Sequence, residues 1–378
     1  MVWIVWLGIA TCFSAYMPSS LIFLSVQLKF LVLYVLALNA KLTESFVKKV
    51  VYICVVIIVI QSMIGLAQLA HGGPLGLGIL GESISKKIDN FVDGSLRMSG
   101  TIGATNAFAG YFSLLLIVLL PFVAVCRTAL NCLALSLGLI LLVLALSRAG
   151  WLGFMAGSIC ALFMLLRSRL VTFSRILLIG FAGLIIIGAG VTVYFDKIIN
   201  RFEDSQAVES ATGRLDQFKS AWPLIDNRLI TGIGPGVSIL FSRWNPDRKH
   251  IQKALAGKAM PNAIHCAQLQ VLVESGIPGL VLFMLITGAI LWSVFRREAG
   301  VSKHDMILLL NIGCVGAAVS VLVHISFGTE LNNQQIFIMF WALLGLARNM
   351  ASENEPDGDG NLPFQTQQNT NWHSHEEK

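Results

Sequence analysis

The sequence predicts an all-α integral membrane protein with about ten transmembrane helices and one long outer loop. Three observations predict it. Hydrophobic residues supply 55% of the 378 positions and charged residues only 13%, about half the charge usual in a soluble domain. Apolar runs recur near 2–17, 19–38, 50–70, 106–126, 129–146, 150–167, 176–195, 278–295, 306–327 and 335–349, close to the ~20 residues that cross a hydrocarbon core. Basic residues, finally, divide unevenly between alternate loops. One set carries Lys41, Lys48, Lys49, Arg127, Arg167, Arg169, Arg175, Arg296, Arg297, Lys303 and Arg348, eleven in all; the opposite set, with the long loop left out, carries Lys86, Lys87, Arg97 and Arg148. The richer set, and with it both termini, is expected on the cytoplasmic side.

The elements follow in order. The first run lacks a basic n-region and a small-x-small cleavage site, so it reads as a span and not a removable signal. Residues 1–195 form an N-terminal group of spans, ending in the glycine-rich run 176–195. Residues 196–266 are polar and fall outside, too long for a mere connection. Within them Thr212 is placed to cap a short helix whose Leu215, Phe218 and Trp222 share a face at i, i+3, i+7, suited to lying on the membrane or the bundle. Residues 267–350 hold the C-terminal spans, and 351–378, rich in Glu, Gln, Asn and Gly, are expected to be disordered in the cytoplasm.

Composition excludes several functions. The net charge of +6 reflects inner-loop basic residues and gives no case for nucleic acid. The seven cysteines are scattered through apolar runs without a zinc-like spacing, and no His, Cys or carboxylate cluster suggests a metal site or a bound cofactor. No internal repeat is seen, which weighs against transporter folds built from duplicated halves.

Candidate chemistry concentrates at the outer face. Arg148, in Leu146-Ser-Arg-Ala-Gly-Trp151, breaks the positive-inside preference, and its planar fork suits phosphate oxygens. Arg214 lies in Ala211-Thr-Gly-Arg, within the long loop. Thr231-Gly-Ile-Gly-Pro-Gly236 permits positive φ, and the amides around Gly234 and Gly236 offer an anion-binding nest. His265 opens a short helix carrying Leu269 and Leu272 on its face, just before the break Gly276-Ile-Pro-Gly279. A helix N-terminus disfavours imidazolium, so a neutral His265 would be ready to accept a proton. Arg97 and Asn106 flank a glycine-rich turn before a span.

Four segments, in order, resemble the O-antigen ligase and polymerase family: Arg97-x-Ser-Gly-Thr-x-Gly-x-x-Asn106; Ser147-Arg148-Ala-Gly-Trp-Leu-Gly153; Gly213-Arg214 with Gly232-Ile-Gly-Pro-Gly236; and residues 265–279. The resemblance covers roughly 95–290. It implies a GT-C-like, metal-independent glycosyltransferase without a cofactor, in the bacterial inner membrane, with its site on the outer face. The implied donor is a glycan on a polyprenyl diphosphate, and the implied acceptor a sugar hydroxyl of a lipid A-core or another glycan. Arg148, Arg214 and His265 fall on the family's functional positions, with Arg97, Gly234 and Gly236 near the diphosphate. Cys266 stands where asparagine is usual, Ala104-Thr105 replaces Asn-Pro, and the N-terminal half is about one helix pair short. A polymerase joining lipid-linked repeat units is the alternative within the family; a lipid-linked sugar transporter or a non-catalytic assembly subunit are the rivals outside it.

Overall fold

A computed structural model describes residues 2–82, 91–92, 95–96, 98–193, 218–219, 221–241, 264, 266–295, 306–328 and 333–352. Ten long helices stand among them: α1 (Val2–Cys12), α2 (Met17–Leu38), α3 (Glu44–His71), α4 (Thr105–Val125), α5 (Ala129–Leu144), α6 (Arg148–Arg167), α7 (Phe173–Val193), α8 (Ala267–Phe295), α9 (Met306–Ile325) and α10 (Gln334–Ser352). One two-residue antiparallel ladder pairs Phe91 with Leu96 and Val92 with Ser95. Each apolar run of the sequence coincides with a helix. Among the described residues six helices, α2, α3, α4, α6, α8 and α9, are long and apolar enough to cross a membrane, while α1 and α5 are shorter. The chain is a multi-pass membrane protein.

Helix ends follow local chemistry. The first apolar run stops at Cys12 because Pro18, in the first turn of α2, restarts the helix after a turn. α3 begins at Glu44, ahead of its apolar run, because the Thr43 hydroxyl accepts the Phe46 N–H at 3.2 Å; it ends on left-handed Gly72. Thr128 and Ser147 cap α5 and α6 in the same way.

α4 and α9 form the centre, with most of their spanning residues buried, whereas α2 lies at the edge with few. Small residues let the central helices approach closely. A Cβ on Gly157 would stand 2.5 Å from the Gly316 carbonyl oxygen of α9, and one on Gly313 would stand 2.8 Å from that of Val118 in α4. At one end of the bundle, Asn349 of α10 donates to the Ala37 carbonyl in the last turn of α2 and to the Ala40 carbonyl just after it. At the other end, the loop before α4 docks on α3. Gln61 donates to Thr101 Oγ1 at 2.5 Å and accepts its N–H, while Gln68 accepts the Gly100 N–H at 3.0 Å. The Ser99-Gly-Thr part of the first motif is thus held by two glutamines on one face of a spanning helix.

Gln68 also donates to Glu82, whose buried carboxylate accepts the Leu75 and Leu77 N–H groups at 2.8 and 2.6 Å. Burial alone raises the Glu82 carboxyl pKa, but hydrogen bonds from Leu75, Gln68, Leu77 and Gly76 outweigh it and hold the group below the usual carboxylate range. A depressed folded-state pKa adds stability that is complete above the unfolded value of about 4.3 and is lost as pH falls through the folded value. The melting temperature of the purified protein in detergent should therefore decline below about pH 4.5, and Glu82→Gln should flatten that part of the decline. An unchanged acid profile in the variant would assign the loss to other carboxylates.

Candidate functional site

α8 is two helices joined across a break at Gly276, where φ is 70° and ψ −175°. The break leaves carbonyls of the preceding turn without their helical donors, and each finds another. Val273 O accepts the Ile233 N–H at 2.9 Å, Glu274 O accepts the Gly234 N–H at 3.0 Å, and Ser275 O accepts the Trp6 indole N–H at 2.9 Å. Beyond the break, the Ile277 N–H donates to Leu229 O at 2.8 Å. The Thr231–Gly236 motif and the Gly276-Ile-Pro-Gly279 motif, forty or more residues apart in sequence, are therefore two halves of one interlock.

The glycines serve this close approach. A Cβ on Gly232 would meet the Glu274 backbone, one on Gly234 the Ser14 side chain, and one on Gly276 the Ile230 carbonyl. All three have positive φ. The turn after α1 and the first turn of α2 complete the interlock: the Ala15 N–H donates to Ile233 O at 2.8 Å, and Ser19 Oγ to Gly236 O at 2.8 Å.

A carboxylate closes the second half of the loop. Glu274, only 2% exposed, accepts the N–H groups of Gly236 (2.9 Å) and Ser238 (3.2 Å), the Ser238 hydroxyl, and the Gln270 amide at 3.1 Å. The amides of Gly234 and Gly236 expected to cradle an anion thus already donate to Glu274, one to its carbonyl and one to its side chain. Gly236 instead borders open space. With Ser19, Phe23, Gln27, Ile239 and Gln334 it lines a cavity of about 110 Å³. Gln27 and Phe30 also line a larger apolar cavity of about 410 Å³ between α1, α2, α8 and α10, walled by Trp3, Tyr34, Ile286 and Trp341.

Ahead of α8, an apolar cluster gathers Ala221, Leu224, Ile225, Ile233, Val237, Ile264, Leu269 and Val273. The helical turn at 221–225 buries Ala221, Leu224 and Ile225, while Phe218 and Trp222, expected to lie on the membrane or the bundle, are 52% and 58% exposed. Its buried face is thus the opposite one, because the cluster under the loop takes Leu224 and Ile225. That leaves the two aromatics facing outward, as aromatic side chains do at membrane surfaces.

Arg148 is the first residue of α6 and is partly buried. Ser147 caps that helix through the Gly150 N–H at 3.3 Å and donates to Asn106 Oδ1 at 3.0 Å, so the first two motifs meet here. One turn below, His324 of α9 is wholly buried against Gly110 of α4 and Gly153 of α6. Two residues on, Ser326 Oγ accepts the Gln268 amide at 2.7 Å, which ties the end of α9 to the start of α8. Arg148 and the interlock therefore stand at the same end of the bundle.

Residues 133–284 match the family model described as O-Antigen ligase. No curated protein matches the chain. The matched segment runs from α5 to the middle of α8 and takes in Arg148, Arg214, the Gly234–Gly236 loop, His265 and the break at Gly276. The resemblance of those motifs is borne out over that segment. The motif from Arg97 to Asn106 lies ahead of it, and so do the α1–α2 residues that complete the interlock.

Of the site residues expected from the O-antigen ligase resemblance, Arg97, Arg214 and His265 lie outside the described residues. His265 is flanked by Ile264, buried in the loop cluster, and by Cys266, whose thiol stands 3.2 Å from Gln268 Oε1. Among the described residues no group of three or more His, Cys, Asp and Glu is placed to hold a metal. Sequence reasoning passed over Glu274 and His324, although each is an ionisable side chain in an apolar helix, the signal that marks function in a membrane protein.

Proposed function

We propose that this protein is a membrane glycosyltransferase of the O-antigen ligase type, moving a glycan from a polyprenyl diphosphate to a sugar hydroxyl of a lipid A-core or similar acceptor. The observation that carries the reading is the O-antigen ligase match over 133–284, which encloses the interlocked loop and Arg148. The site faces the outer side of the bacterial inner membrane, with both termini cytoplasmic, as the loop charges favour. The acceptor oxygen attacks the anomeric carbon, the carbon–oxygen bond to the diphosphate breaks, and the hydroxyl proton passes to His265 as general base. Arg148 and Arg214 meet the charge growing on the departing diphosphate without a metal, and Arg97 adds to the same field. Gly236 borders the headgroup, and the isoprenoid chain follows the cavities along α2 toward Trp341.

The test is transfer by the purified full chain from an undecaprenyl-diphosphate-linked glycan. Product should form with a sugar acceptor and survive EDTA, and cysteines introduced at Ile239 but not Lys48 should react with an impermeant thiol reagent in intact cells. Product made only with a second lipid-linked glycan as acceptor would favour the polymerase. Activity abolished by chelation and restored by Mg²⁺, or labelling in the reverse pattern, would overturn the corresponding part of the reading.

A further inference from the structure

We infer that Glu274 is a positioning residue that fixes the cavity-lining half of the glycine loop, and through it the affinity for the donor's lipid diphosphate. The inference rests on the function proposed above.

The loop divides at Pro235, which has no N–H to donate. Upstream of it, Ile233 and Gly234 bond to the backbone of α8, and these bonds do not depend on any side chain. Downstream, the bonds that the described residues 236–241 make to α8 all end on one group, the Glu274 carboxylate. Gly236 and Ile239, which line the cavity beside α2, belong to that downstream half. Val237 packs on Leu269 and Val273 of α8, but the directional bonds that fix the register of this half all depend on a single side chain.

A carboxylate suits this task because it only accepts. Oε2 takes the Gly236 N–H, while Oε1 takes the Ser238 N–H, the Ser238 hydroxyl and the Gln270 amide. A glutamine in the same volume would turn an NH₂ toward at least one of these donors, leaving a buried N–H unsatisfied. Apolar residues of similar size often match a buried charge for stability. What the three donors from the loop add, with Gln270 of α8 steadying the carboxylate, is a fixed register between loop and helix. α8 begins two residues after His265, so the same register sets the loop against the region that holds the proposed base.

The experiment uses the full chain in lipid nanodiscs, with undecaprenyl diphosphate as the probe and its Kd and binding stoichiometry as the readouts. Glu274→Gln should weaken binding by about tenfold or more at unchanged stoichiometry, the effect of losing a hydrogen bond to a charged group. Ser238→Ala, which removes one donor and keeps the carboxylate, should weaken it by about three- to tenfold and serves if the glutamine variant fails to fold. A purely structural role would lower the stoichiometry and leave Kd unchanged, and that result would overturn the inference. So would an unaltered Kd in both folded variants. Wild-type protein that binds undecaprenyl diphosphate no better than undecaprenol would instead remove the proposed function, and the inference with it.

Discussion

Gly276→Val is expected to destabilise the protein by more than about 3 kcal/mol and to release the glycine loop from α8. The backbone there, at φ 70° and ψ −175°, lies in a region open essentially to glycine, which costs other residues about 1–3 kcal/mol. A side chain would also strike the Ile230 carbonyl and stand 2.6 Å from that of Leu229, and overpacking adds about 1–3 kcal/mol. Thermal unfolding in detergent measures the effect. Gly288→Ala in the same helix is the control: no atom lies within 4 Å of the added Cβ, so it should be neutral or stabilising by up to about 1 kcal/mol. Equal melting of the two variants would mean that the break does not hold the loop.

Substitution at the proposed reacting groups should leave the fold intact and remove transfer. Arg148→Ala should lower the rate by about 10²–10³, the effect of losing a preorganised charge at a transition state. Arg148→Lys should recover only part of it, since an ammonium cannot reproduce a two-pronged contact. His265→Ala should spare donor binding and slow transfer by about 10²–10⁴. Arg248, in the same loop as Arg214 but outside the four motifs, should tolerate alanine. Near-normal transfer by His265→Ala would refute its role as base, and an equal loss at Arg248 would reduce the loop's contribution to general positive charge.

The positions of the helices were legible in the sequence because hydrophobic length is a local signal, while ends such as the start of α6, at Arg148 behind its Ser147 cap and two residues ahead of its apolar run, came only from the structure. The break at Gly276 was legible as a local signal too. The partnership of the two glycine motifs was not. Each resembles an ordinary turn, and only long-range backbone bonds, Ile233 to Val273 and Gly234 to Glu274, reveal that each shapes the other. The expected anion nest illustrates the gap. Glycines announce available amides, but nothing in the local sequence says that the carbonyl and carboxylate of a residue about forty positions away will take them. For Phe218 and Trp222, periodicity marked an apolar face without choosing between the membrane and the bundle, and their exposure leaves them off the bundle.

The interlock also dictates an order of birth. Trp6, Ala15 and Ser19 leave the ribosome early, and the loop that Ala15 and Ser19 grip follows more than two hundred residues later. The Ser275 carbonyl that receives Trp6 comes later still. Until α8 is inserted, the first two helices wait in the bilayer with these donors uncommitted to their final partners, and contacts of such sequence separation form slowly. A nascent chain arrested before residue 273 would already hold most of its spans, yet its amino-terminal hairpin would have no broken helix to clasp.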